Sequence, residues 1–161
     1  QQPVIRPGKN AVQAIDGVAF PVPDIFEAGF RIGQFQPEVK PDELITVSCQ
    51  VMNVSNADAT EIVQCYISDR FASRTRPVKE LVGFMRVLIP AGEQRAVTFF
   101  IEPSQTAFLD KDMRWKIEKG QFDVMLGKSS DEICFSKTVQ VTEDAWIDGK
   151  RRAFYARTEV R

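Results

Sequence analysis

The amino-acid sequence predicts an antiparallel β-sandwich, and two observations lead to that fold class. Apolar and polar residues alternate with a period of two almost everywhere from residue 44 to residue 141, which is typical of half-buried strands. Turn-forming residues interrupt this pattern roughly every ten positions, as expected for short strands joined by tight connections. The chain of 161 residues is long enough for one domain with extensions and for a substantial apolar core.

The two ends of the chain differ from this central region. Residues 1–29 hold four prolines among short apolar clusters, so we expect an extended strap or linker there. The sandwich is expected to occupy residues 30–142, with GFRIGQFQPEV as its first strand. Residues 143–161 form a charged C-terminal tail with three aromatic side chains, which either packs back on the domain or docks on a neighbour.

Six further strands are predicted between these ends. In chain order they are LITVSCQVMN, TEIVQCYIS, LVGFMRVLI, RAVTFFIE, QFDVMLG and EICFSKTVQV. The inward faces of the first two are expected to carry Ile45, Val47, Cys49, Val51, Val63, Cys65 and Ile67. The longest interval between strands, PSQTAFLDKDMRWKIEKG, is predicted to be a connection.

Composition excludes several classes of function. Lys and Arg number 21 against 22 Asp and Glu, so no field of one sign favours nucleic acid or a membrane as a partner. The chain has no histidine, which excludes Ser-His-Asp and Cys-His catalysis and removes the imidazole of the usual zinc sites. Phosphate-binding glycine loops are also missing. We therefore expect no cofactor and no metal.

The start of the sequence leaves the compartment open. QQPVIRPGKN has neither an initiating Met nor the apolar core of a signal peptide, so we expect a mature or excised piece. Secreted, periplasmic and cytoplasmic locations all remain compatible with it. Of the three cysteines, Cys49 and Cys65 are expected to face inward, and buried free thiols are favoured over a disulfide between them.

Four sequence blocks resemble one known domain family. VMNVSNADATEIVQCYISD, RPVKELVGF, IPAGEQRAVTFFI and KGQFDVMLGKSSDEI are similar, in this order, to the fibronectin type III-like domain of family 3 glycoside hydrolases, the β-glucosidases and β-xylosidases. The most recognisable block contains Arg76, Pro77, Lys79, Glu80, Leu81, Gly83 and Phe84. Asn53, Gly92 and Gly120 match turn or hairpin positions of the family. The resemblance implies a fibronectin type III or immunoglobulin-like sandwich of about seven strands.

The resemblance also implies that this chain is not an enzyme by itself. In those hydrolases the catalytic carboxylates belong to other domains, and their motifs have no counterpart here. The expected role is a non-catalytic accessory domain whose partners are the catalytic domains of a parent glycoside hydrolase. The alternative is an independent module that binds polysaccharide or protein. Asp110 and Asp112 are the nearest approach to a carboxylate pair, and a solvated loop is favoured there.

The segment SRTRPVKELVGF supplies the docking candidates Arg74, Arg76, Lys79 and Glu80. Pro77 favours an extended backbone, which places both arginines on one side, where their guanidinium groups can grip a partner's carboxylates or carbonyls. Pairing of Glu80 with an arginine of the same domain is the alternative.

Further positions carry weaker expectations. Leu81 and Phe84 are expected to anchor the same segment in the sandwich. Trp146 and Tyr155 are weaker candidates for stacking on sugar rings, and covering aromatics are favoured there. Asn53 begins a formal glycosylation tripeptide, for which turn chemistry is favoured, and GKRR reads as a solvated basic turn.

Overall fold

A computed structural model describes residues 31–71, 73 and 77–161 of the chain. The predicted strap 1–29, the start of the first predicted strand at Phe30, and the docking candidates Arg74 and Arg76 lie outside the described residues. Within them the chain forms twelve strands and two short 3-10 helices. The elements are β1 (Arg31–Phe35), β2 (Glu38–Val39), β3 (Ile45–Met52), β4 (Ala59–Asp69), β5 (Glu80–Ile89), β6 (Gln94–Ile101), η1 (Pro103–Thr106), β7 (Phe108–Leu109), β8 (Trp115–Ile117), β9 (Gly120–Gly127), β10 (Ile133–Val141), β11 (Ala145–Ile147), η2 (Gly149–Arg151) and β12 (Arg157–Val160).

Two large sheets face each other and confirm the predicted all-β sandwich. One has four strands in the order β1-β3-β6-β12, and the other has five in the order β2-β10-β9-β4-β5. All pairs in them are antiparallel except β2 with β10, which run parallel. The strands β3, β4, β5, β6, β9 and β10 each begin and end within a residue or two of the bounds expected from the alternation.

The core lies between these two sheets, where the predicted inward faces meet. The side chains expected to point inward from β3 and β4 are all buried: Ile45, Val47, Cys49, Val51, Val63, Cys65 and Ile67. Phe99 of β6 and Phe122 of β9 are the largest of the fully buried side chains. Burial of this apolar surface is the main force that holds the two sheets together.

The number of strands is higher than the seven expected. The long interval between β6 and β9, expected to be a connection, contains η1, β7 and β8. A third, three-stranded sheet joins β7 and β8 to β11 in the order β11-β8-β7. These strands have only two or three residues each, too few for an alternation of apolar and polar residues to be visible in the sequence.

Residues 143–161 contribute strands to two of the sheets. β11 pairs with β8 in the three-stranded sheet, and β12 pairs with β6 along the edge of the four-stranded sheet. The last residue, Arg161, exchanges two backbone hydrogen bonds with Ala96, at 2.7 and 2.8 Å. This segment therefore packs along the domain in the structure.

Candidate functional site

A β-bulge in strand β5 organises the surface that holds the described docking candidates. The pairing of β4 with β5 passes from Cys65 opposite Gly83 to Tyr66 opposite Leu81, so Val82 is an extra residue without a partner on β4. Its carbonyl oxygen is thereby released from the ladder. It accepts hydrogen bonds from the side-chain Nε2 of Gln105 at 3.2 Å and from the backbone N–H of Ala156 at 2.6 Å.

The bulge also corrects the expected anchoring of this segment. Leu81 and Phe84 are 42% and 55% exposed, so they do not anchor it in the sandwich. Val82 and Gly83 are the buried residues, because the bulge turns two consecutive positions inward. A Cβ atom on Gly83 would lie 3.1 Å from Ala156 Cβ and from the Phe99 ring, so glycine permits this close approach.

A groove of about 290 Å³ lies beside the bulge. Its wall is formed by η1, β7 and β8 on one side, with Glu80 of β5 and Arg152 of the C-terminal segment completing it. Its lining includes the side chains of Glu80, Gln105, Phe108, Leu109, Trp115 and Arg152. The groove thus lies where the sandwich, the three-stranded sheet and the C-terminal segment meet.

Arg152 is fixed in the wall of this groove by several contacts. Its Nε and Nη2 atoms donate hydrogen bonds to the backbone carbonyls of Ala107 and Gln105, both at 3.2 Å. Its guanidinium carbon lies 5.0 Å from the ring centre of Trp115 and 5.1 Å from that of Phe154. The interpretation of GKRR as a solvated turn is therefore wrong for Arg152, since the aromatic side chains of β8 and the tail position its planar group.

Gln105 carries an unsatisfied acceptor at this site. The residue is only 3% exposed, and its Nε2 atom donates to Val82 O. Its Oε1 atom has no hydrogen-bond donor in the described part of the chain. Buried acceptors without a donor are uncommon in folded proteins and cost free energy.

Lys79 and Glu80 diverge, as expected from their adjacent positions. Lys79 Nζ donates to the backbone carbonyl of Ser130 at 2.6 Å, which ties the segment to the turn between β9 and β10. Glu80 is half-buried at the start of β5, between the groove and a small recess beside Ile67 and Phe122. Its carboxylate has no side-chain hydrogen bond or ion pair with the described residues. The structure brings these two candidates to one edge of the domain, at the start of β5.

The carboxylate of Asp110 is committed to a turn. It accepts hydrogen bonds from the backbone N–H groups of Asp112 and Arg114 and from Trp146 Nε1, at 2.9, 3.0 and 2.9 Å. The hydrogen bond from Arg114 N, followed by that from Trp146, lowers the pKa of Asp110 to about 2. A group that stays ionised over the whole physiological range is unsuited to act as a general acid.

The two candidates for sugar stacking occupy different elements. Trp146 lies on β11 and is 51% exposed, with Arg114 and Lys116 at 5.3 and 5.5 Å from its ring centre. Tyr155 precedes β12 and is 69% exposed. Their exposure leaves each ring accessible, while Trp146 is held by its hydrogen bond to Asp110.

Two of the thiols and the glycosylation candidate are buried in the fold. Cys49 and Cys65 are buried free thiols, and burial raises the pKa of both, that of Cys49 to about 12. Asn53 is completely buried, and its Nδ2 atom donates to the carbonyls of Ala57 and Ile89, both at 2.8 Å. The nitrogen that would carry a glycan is therefore enclosed in a turn.

The described ranges lack a metal-binding cluster and a membrane-spanning helix. No group of three or more Cys, Asp or Glu residues there is arranged to hold a metal ion. No helix there combines the length and apolar character needed to cross a membrane.

The sequence patterns do not identify Gln105 and Arg152 as residues of this groove. Gln105 stands in PSQT, where the proline suggests a turn and nothing indicates burial of the polar residues that follow. Arg152 stands in a basic run whose members look alike in sequence, although Lys150 and Arg151 are exposed and Arg152 is half-buried. Only the tertiary arrangement of η1, β8 and the tail distinguishes them.

Comparison with known proteins gives one family and a consistent set of relatives. Residues 61–130 match the fibronectin type III-like domain model. Over 111 residues the chain is 36% identical to thermostable β-glucosidase B of Acetivibrio thermocellus, covering 68% of this chain and 15% of that protein. Over 93 residues it is 40% identical to a putative β-xylosidase of Formosa agariphila, covering 58% of this chain and 12% of that protein.

A solved β-glucosidase structure also contains a region similar to this chain. The crystal structure of β-glucosidase from Kluyveromyces marxianus in complex with glucose superposes with a TM-score of 0.68 at 31% identity. The superposition covers 75% of this chain and 14% of that one. The chain therefore spans about a seventh of the length of the relatives it matches.

Proposed function

Because the chain is a fibronectin type III-like domain of the type present in family 3 glycoside hydrolases, we propose that it is a non-catalytic accessory domain of such an enzyme. Its role is to support the catalytic domains of the parent by docking on them. The observation that carries this proposal is the restricted extent of the similarity, 15% and 12% of the lengths of a β-glucosidase and a β-xylosidase.

The chemistry of the described residues supports the non-catalytic part of the proposal. Glycosidases that use two carboxylates need one that is protonated and one that is ionised at working pH. The nearest candidate pair is Asp110 with Asp112. Asp110 is held ionised, which excludes it as the acid, and three hydrogen bonds engage both of its oxygens, which leaves it poorly suited to attack a sugar or to activate a water. We expect the purified chain to leave aryl-β-glucosides and aryl-β-xylosides unhydrolysed. Reproducible turnover that follows the chain through purification would overturn this part.

The docking part of the proposal assigns Arg74, Arg76, Lys79 and Glu80 to the contact with the catalytic domains. An apolar area supports an interface nearby, since Phe84 and Leu88 of the edge strand β5 and Ile62 of β4 are all exposed. Exposed apolar side chains of this size on a sheet face are typical of surfaces that are covered in an assembly.

An arginine substitution tests the docking part. We expect Arg76→Ala to leave the melting temperature of the chain nearly unchanged and to weaken its association with a separately expressed catalytic part of the parent enzyme, measured by calorimetry. Arg161→Ala is the matched control, because the Arg161 side chain is 86% exposed at the far end of β12. A large loss of stability with unchanged association would instead make the segment internal structure.

The alternative function is an independent module that binds polysaccharide. The exposure of Trp146 and Tyr155 is the observation that favours it. Titration with soluble glucans and xylans separates the two functions. Saturable binding that is lost in Trp146→Ala or Tyr155→Ala would support the module and displace the docking proposal.

A further inference from the structure

The groove between β5, η1 and the C-terminal segment has hydrogen-bond acceptors that nothing in the described structure uses. Glu80 is half-buried, and its carboxylate makes no ion pair with the described residues. Oε1 of Gln105 is buried without a donor. Arg152 is the only cation among the described residues that line the groove, and it already gives Nε and Nη2 to two backbone carbonyls.

The excess of hydrogen-bond acceptors over donors determines what kind of group fits the groove. An occupant must donate hydrogen bonds, and a positive charge is favoured because Glu80 is a carboxylate. A sugar ring is less suitable, since Arg152 lies over the Trp115 ring that would otherwise form a stacking platform. A guanidinium group has several donors in one plane and retains its charge when partly buried, so it suits two acceptors better than an ammonium group does.

We propose that this groove receives an arginine side chain from the catalytic part of the parent glycoside hydrolase, which pairs with Glu80 and donates an N–H to Oε1 of Gln105. This inference rests on the accessory role proposed above and assigns the chemistry of its contact. The catalytic part is the partner because the chain spans about a seventh of the relatives it matches, so most of such an enzyme lies outside it.

Gln105 can turn toward such an occupant without leaving the carbonyl oxygen of Val82 unpaired. Oε1 is out of contact with solvent in this side-chain conformation, so the amide must rotate to meet a donor. The rotation breaks the bond from Nε2 to Val82 O, which is 3.2 Å long. Val82 O then keeps the shorter bond from Ala156 N, at 2.6 Å, and remains satisfied.

The test is a nuclear magnetic resonance titration of the ¹⁵N-labelled chain with N-acetyl-arginine amide. N-acetyl-citrulline amide, a neutral group of the same shape, is the control for charge, and methyl β-glucoside is the control for a sugar site. We expect the arginine probe to give saturable shifts of the Gln105 side-chain amide and of the Glu80 and Trp115 signals. Glu80→Gln should weaken this binding about tenfold, since it removes one charge-assisted hydrogen bond.

Gln105→Met separates a binding role from a structural one. Methionine removes the unsatisfied oxygen and leaves Val82 O bonded to Ala156, so we expect the melting temperature to stay the same or rise while arginine binding weakens. A clear loss of stability would show that Gln105 serves the fold, and would overturn the proposal.

The remaining outcomes are also decisive. Absence of shifts in the groove, equal binding by Glu80→Gln, or binding of the glucoside in place of the arginine probe would each overturn the arginine assignment. If the chain associates with the catalytic part and neither Glu80→Gln nor Gln105→Met changes the affinity, the groove assignment fails and the accessory role stands. If no association occurs at all, the accessory role fails.

Discussion

The sandwich and the three-stranded sheet of this domain are held together by different interactions. The two large sheets meet through buried apolar side chains such as Phe99 and Phe122, which need no partner outside the domain. The sheet β11-β8-β7 packs Ile117 against the same core and adds charged and polar contacts at its surface. Among these are the 2.8 Å ion pair of Lys116 with Asp144 and the hydrogen bond from Trp146 to Asp110. The first region therefore provides stability, and the second provides surface chemistry that a partner can use.

The largest expected effect comes from opening the sandwich core. Phe99→Ala should lower the free energy of unfolding by about 3–5 kcal/mol, because Phe99 is fully buried and the substitution leaves a cavity. Urea unfolding followed by circular dichroism measures this change. Leu88→Ala is the control from an exposed position of β5, where we expect a change within about 0.5 kcal/mol. Equal losses from the two variants would contradict the assignment of the core.

An intermediate loss of stability is expected on acidification. It should originate at Asp110, in the turn that joins β7 and β8 of the three-stranded sheet. The pKa of Asp110 is lowered to about 2, first by the hydrogen bond from Arg114 N and then by that from Trp146. The unfolded-state pKa of an aspartate is about 3.9. A lowered folded-state pKa means that the contribution is fully present above about pH 4 and is lost as the pH falls toward 2.

Asp110→Asn checks this assignment. The variant should lose less stability than the parent chain between pH 5 and the acid limit, about pH 2.5, as measured by urea midpoints. Asp112→Asn is the control, since Asp112 lies in the same turn and has an exposed side chain. A parent chain and an Asp110→Asn variant with identical pH dependence would show that the turn does not depend on the charge.

The smallest effect on the free energy of unfolding is expected for the ion pair between Lys116 and Asp144. Lys116 Nζ and an Asp144 carboxylate oxygen are 2.8 Å apart, and their hydrogen bond is the main cause that raises the pKa of Lys116 and lowers that of Asp144. Both side chains are partly exposed, so a double-mutant cycle with Lys116→Met and Asp144→Asn should give a coupling of about 0.2–1 kcal/mol. The coupling should shrink at high salt. A coupling as large as the effect of Phe99→Ala would remove the contrast between the two regions.

The sequence predicts these two regions unequally well, and the reason is physical. β3 and β4 are eight and eleven residues long, so their alternation is repeated often enough to identify both the strand and its buried face. β7, β8 and β11 have two or three residues, and β11 pairs with β8 although β9 and β10 separate them in the sequence. Periodicity carries no information about such strands.

The candidate site shows the same limit at the level of single residues. SRTRPVKELVGF was identified from its charges and its proline, and Lys79 and Glu80 do lie at the edge of the described domain. Gln105 lies 23 residues after Val82, and Arg152 lies still further along the chain. Nothing near either residue in the sequence indicates that it lines the groove. The inward turn of Val82 in place of Leu81 and Phe84 follows from a bulge, which alternation alone does not reveal.

The carbonyl of Val82 has a consequence for how this edge responds to contact. It accepts hydrogen bonds from Gln105 and from Ala156, which uses both lone pairs of the oxygen. Either donor can leave while the other keeps the oxygen satisfied. The connection after β6, which carries Gln105, can therefore rearrange while Ala156 keeps the C-terminal segment hydrogen-bonded to strand β5.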